Sequence, residues 1–111
     1  MEDLIKNIAD VEWINANHAG VHKKVFFAGN VFESNITQVA YTELNKNILI
    51  SNHIHETMEE IFFLIEGICE FKIDKNTFEK TQGSVIRIPV NTEHSLRAIT
   101  KCKLFYFGVS I

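Results

Sequence analysis

Short apolar runs broken by turn residues fill the chain from Lys23 onward. KKVFFA (23–28) reads as a strand ending at Gly29-Asn30, and ITQVAYTEL (36–44) as a second, rich in β-branched and aromatic residues. Asn45-Lys46-Asn47 follows as a turn. ILISNHIH (48–55) is the next strand. EIFFLIEG (60–67) and ICEFKI (68–73) read as one continuous strand bent at Gly67, since glycine inside a strand marks a bend. Asp74-Lys75-Asn76 predicts a hairpin turn into TFEK, and Thr81-Gln82-Gly83 another turn. SVIRI (84–88) stops at the single proline, Pro89, where a lost donor costs little. HSLRAI (94–99) and KLFYFGVSI (103–111) complete the set. No long helical period interrupts this texture, so the pattern predicts an all-β sandwich or barrel. Residues 1–22 read as an N-terminal arm, with Ile5, Ile8, Val11 and Trp13 available to cover the end of a barrel, and residues 23–111 as the β-domain.

The length, 111 residues, suits one domain with a real apolar core. Charges of both signs are spread along the chain, for a formal net of -3. No basic run interleaves with aromatics, which argues against nucleic acid as a partner. No stretch reaches the roughly 18 apolar residues of a membrane span, and the N-terminus lacks the features of a signal peptide. Cys69 and Cys102 form no C-x-x-C pair and read as reduced, buried thiols, consistent with the cytoplasm.

Histidine placement adds chemistry to this picture. His53 and His55 are two apart, so on a strand both face one side. Glu60 opens a following strand and His94 opens a later one. Neighbouring strands can aim these four side chains at one interior point. Imidazole and carboxylate donors of this kind suit Fe, Mn, Ni, Co or Zn. His18 and His22, in the arm, read as surface residues. Arg87 reads as facing out toward an acidic neighbour.

Two stretches carry a family resemblance. His53-Ile54-His55-x4-Glu60-x6-Gly67 resembles the first cupin motif, G-x5-H-x-H-x(3,4)-E-x6-G. Gly83-x5-Pro89-x-Asn91-x2-His94 resembles the second, G-x5-P-x-G-x2-H-x3-N. Together they cover residues 47–98. Asn47 and Asn91 stand where the motifs have Gly, and Ala98 stands where the second has Asn; no ligand position is lost. The family's gap from Glu to Gly selects Glu60 over Glu59, and so does alternation along the strand. The resemblance implies a jelly-roll β-barrel, one divalent transition metal on His53, His55, Glu60 and His94, and a homodimer for which KKVFFA and KLFYFGVSI offer apolar segments.

The substrate pocket is expected to use Phe62 and Leu64 as an apolar wall; Tyr41 reads either as a hydrogen-bonding neighbour of the ligand or as a tyrosine at the barrel rim. No residue is assigned a catalytic role. The implied function is a metal-dependent enzyme acting on a small polar molecule, a sugar derivative or a small hydroxy or keto acid. Dioxygenase, isomerase, lyase and decarboxylase chemistry all remain open, because fold does not select a reaction. The alternative is a non-catalytic small-ligand-binding or sensor module in which the metal braces the barrel.

Overall fold

The β-branched and aromatic runs pair into ten antiparallel strands in a computed structural model that describes residues 4–111. They are β1 (Ile14–Asn15), β2 (His22–Ala28), β3 (Ile36–Leu44), β4 (Leu49–His53), β5 (Met58–Glu66), β6 (Ile68–Ile73), β7 (Asn76–Thr81), β8 (Val85–Ile88), β9 (His94–Ala98) and β10 (Cys102–Ser110). Two short 3-10 turns, Ile8–Asp10 and Gly29–Val31, are the only helical segments among the described residues. No helix there is long and apolar enough to cross a membrane.

The strands form two sheets, a six-stranded one in the order β1-β2-β3-β10-β5-β8 and a four-stranded one in the order β4-β9-β6-β7. The all-β expectation holds. The closed barrel is met only in part, because no hydrogen-bonded ladder joins the two sheets among the described residues.

Alternation builds the core. On β5, Glu60, Phe62 and Leu64 are buried while Phe63 is exposed. On β9, His94, Leu96 and Ala98 are all buried, and on β6 Cys69 and Phe71 are. Leu44, Leu64, Phe71, Ile88, Leu96 and Leu104 are its largest aliphatic and aromatic members with almost no exposure. Cys69 and Cys102 are free thiols buried in the same cluster.

Gly67 carries the chain from β5 in one sheet to β6 in the other. Its φ is +99°, and a Cβ there would collide with the Lys101 carbonyl. Only glycine meets both demands. Asn47 and Asn91 have φ of 71° and 57°. Asparagine tolerates this left-handed region, so the two motif departures keep the backbone shape glycine would give.

Leu4 and Ile5 are exposed, and Trp13 lies against Tyr41 with ring centroids 6.0 Å apart. β1 then pairs with β2, Ile14 opposite Lys23. The chain between β1 and β2 turns back over the mouth between the sheets, bringing His18 with it.

Candidate metal centre

Three local arrangements place the ligand candidates. His53 ends β4 and is the register partner of His94, which begins β9; their rings are 4.1 Å apart. The strand predicted over 48–55 stops at His53, so His55 sits in the following loop. That loop is held by the Asn91 amide, which donates to the His55 carbonyl at 2.8 Å. Asn91 thus ties the segment leading into His94 to the segment carrying His55. Glu60 comes from β5 in the opposite sheet and is 6% exposed.

One donor atom from each of His53, His55, Glu60 and His94 lies within 4.8 Å of the others. Donors sharing one ion at ~2.1 Å from it sit roughly 3 to 4 Å apart, so this spread is near that of a coordination shell. The hydrogen bonds point the same way. His53 Nδ1 lies 2.8 Å from the Ser51 carbonyl, and His94 Nδ1 lies 2.8 Å from the Thr92 carbonyl. A carbonyl only accepts, so each Nδ1 carries the proton and each Nε2 keeps its lone pair.

Glu60 Oε1 approaches His55 Nε2 at 3.1 Å and His94 Nε2 at 3.4 Å. Despite these distances, Glu60 Oε1 and His94 Nε2 make no hydrogen bond and are shielded from solvent. A buried carboxylate oxygen and a buried imidazole nitrogen without partners cost several kcal/mol, on the order of the effective penalty for burying an ion. A cation between them removes that cost, so the residues present fit a metal ion.

Electrostatics differ from ring to ring. Burial lowers the His53 pKa, with His94, His18 and His55 adding to the effect and the Ser51 carbonyl opposing it. Burial also pulls His94 down, but the Glu60 carboxylate and the Thr92 carbonyl together outweigh it and raise that pKa. Burial, and then the Glu60 charge, raise the Tyr106 pKa, so its phenol stays neutral.

A cavity of about 320 Å³ opens beside the cluster, lined by His53, His55, Glu60, Phe62, Tyr106 and His18 among others. Phe62 stacks on Tyr106 with centroids 5.4 Å apart. Leu64, expected in the pocket wall, is instead wholly buried in the core beneath. Tyr41, expected beside the ligand, lies on the other face of its sheet. Gln38 and Thr42 of β3 line the cavity, so alternation sends Tyr41 outward, where it packs on Trp13 and Phe105 and donates to Glu43 Oε2 at 2.9 Å. Arg87 faces outward and meets Glu59 Oε2 at 3.3 Å.

Sequence reasoning missed several cavity residues, three of them titratable. His18, read as a surface residue, has its ring 4.6 Å from that of His53. Tyr106 and Lys23 also line the cavity. His22 is exposed.

Residues 41–108 match the family model of the cupin domain. The chain belongs to the cupin family. This cupin is 38% identical over 47 residues to an uncharacterized protein of Methanocaldococcus jannaschii, a stretch covering 42% of this chain and 38% of that protein. Among solved structures it resembles a Thermotoga maritima protein described as a predicted oxalate decarboxylase, with a TM-score of 0.87 and 16% identity over 97% of this chain and 100% of that one. It also resembles the Cnp3 cupin domain of Schizosaccharomyces pombe, at TM-score 0.82 and 14% identity, covering 97% of this chain and 74% of that one. The KdgF structure from Halomonas sp. gives 0.77 and 14%, covering 95% and 94%. At these identities the likeness concerns the fold alone.

Proposed function

We propose that His53, His55, Glu60 and His94 hold one divalent transition metal, Fe, Mn, Ni, Co or Zn, and that this cupin is a metal-dependent enzyme acting on a small polar molecule. The observation that carries this reading is the pair of orphaned buried atoms, Glu60 Oε1 and His94 Nε2, facing each other inside a cluster of further donors. When bound, such an ion supplies Lewis acidity that polarises a carbonyl or carboxylate.

The chain's own residues do the rest. The Ser51 and Thr92 carbonyls hold two imidazoles in the tautomer that presents Nε2. Phe62 and the ring of Tyr106 form an apolar wall that limits water, and the neutral Tyr106 phenol offers a donor. The reaction, whether oxygenation, isomerisation, elimination or decarboxylation, is left to the substrate. The buried free thiols fit a cytoplasmic setting.

The test is elemental analysis of protein purified without an affinity tag, with a thermal-shift screen of the five metals. About one ion per chain is expected, together with a raised melting temperature that His94→Ala abolishes. A protein that carries no ion and that no metal stabilises would overturn the proposal.

A second reading has its own observation. The ligands come from both sheets, Glu60 from one and His53 and His94 from the other, so an ion would also brace the sandwich. In a purely bracing role, the metal-loaded protein would bind no small anion at the ion.

We also propose a homodimer. Phe63, Phe105 and Val85 are exposed on the six-stranded sheet. Light scattering should give twice the chain mass, falling to one chain in Phe63→Glu.

A further inference from the structure

Polar side chains of the six-stranded sheet face the cavity from β2 to β5, with Phe62 and Met58 among them. Lys23 on β2 stands directly opposite Thr42 on β3, and both line the cavity with Gln38. Tyr106 on β10 comes next, opposite Ala40 on one side and Phe62 on the other. Glu60 on β5 also lines the cavity, opposite Gly108 and, beyond it, in register with Gln38.

Lys23 has an unusual partner for a lysine in this protein. Lys101 pairs with Glu43 and Lys103 with Glu66, at 3.4 and 3.5 Å. Lys24, its neighbour on the outer face, donates to the Ile8 carbonyl and lies over the Trp13 ring. Lys23 is half-buried, and its Nζ meets only the neutral Gln38 Oε1, at 3.0 Å, among the described residues. A half-buried ammonium with no carboxylate beside it favours an anion brought in from outside.

Charge at the other end points the same way. A divalent ion beside the single carboxylate of Glu60 retains positive charge, since the three imidazoles bind as neutral ligands. With an ion bound, the cavity would be positive at both ends. Lys23 starts four residues out of register with Glu60, but its Nζ reaches Gln38, which shares a register row with Gly108 and Glu60, two inter-strand steps of ~4.8 Å from β5. One carboxylate cannot serve both ends of such a span.

We propose that the cavity takes a small acid with two anionic ends, one directed at the His53–His55–Glu60–His94 cluster and the other, a carboxylate or phosphate, held by the Lys23 ammonium. The Gln38 amide steadies Lys23, and the Tyr106 phenol donates along the way. This inference rests on the metal reading given above.

The experiment is calorimetric titration of the protein, loaded with the metal that the thermal screen selects, using matched acids. 2-Oxoglutarate is compared with 2-oxopentanoate, which replaces the distal carboxylate by a methyl group. 3-Phosphoglycerate is compared with glycerate, which replaces the phosphate by a hydroxyl. At least one doubly charged acid should bind about 10-fold or more tightly than its counterpart, as expected for a charge-assisted contact. The pair showing the larger ratio identifies the distal group.

Lys23→Met should erase the ratio while leaving metal loading unchanged, and Lys23→Arg should keep most of it. Equal binding within both pairs, a preference that survives in Lys23→Met, or no binding of any of the four acids would overturn the inference while metal loading stands. Failure to load any metal is seen before an acid is added; it overturns the metal reading and this inference with it.

Discussion

Glu59 and Glu60 are chemically identical, adjacent on β5, and meet opposite fates. Glu59 faces outward and pairs with Arg87 at 3.3 Å in a partly exposed contact. Glu60 faces the interior, is 6% exposed, and leaves Oε1 without a hydrogen bond. The pairing of Glu59 resembles many surface ion pairs, which contribute little to stability. The burial of Glu60 is costly to the bare fold, a cost that the proposed ion would offset. The alternation of a strand is enough to divide these roles.

The same division runs through Phe62 and Phe63, and it gives the largest expected effect. Phe62→Ala should lose about 3–5 kcal/mol in urea unfolding, the range for a buried phenylalanine. Phe63→Ala, at 44% exposure, should lose well under half of that when compared in a monomeric background. Equal losses would mean that β5 does not present the faces described.

Glu60→Gln comes next. It should weaken metal binding by more than about 100-fold, beyond the loss typical of removing a group that only supports a ligand. Competition against a chelator of known affinity reads this directly. The same substitution should stabilise the metal-free protein by about 1–3 kcal/mol, because it removes a buried charge whose Oε1 makes no hydrogen bond. A metal-free Glu60→Gln protein less stable than the parent would show that the carboxylate is already satisfied. Smallest of all, Glu59→Gln should change stability by less than about 0.5 kcal/mol and leave metal affinity intact.

How much of this was readable beforehand depends on the reach of each signal. Strands and ligand spacing are local, so HIHETMEE with six residues between Glu60 and Gly67 already separated Glu59 from Glu60. Asn47 and Asn91 were readable for a similar reason, since asparagine replaces glycine where φ is positive. Tyr41 was not, because β3 is covered on both faces: Ala40 and Thr42 are buried on the inside, and Tyr41 is covered from outside by Trp13 and Phe105. With both faces covered, hydrophobic alternation fades. Leu64 was assigned to the correct face, but its depth along β5 depends on how the sheets pack. His18 depended on the β1–β2 turn folding back over the mouth, a tertiary event with no periodic signature. Lys23 and Tyr106 needed the register of β2, β3 and β10, which no single segment encodes.

Glu60 and the pair His53–His94 stand on different sheets, and no ladder locks those sheets at a fixed separation. The bite between carboxylate and imidazoles is therefore the thickness of the core itself. Shaving or adding a methylene at Leu64, Leu96 or Ile88, well away from any donor atom, would retune which ionic radius the protein prefers. Selectivity for the proposed ion would in this sense be a mechanical property of the whole sandwich.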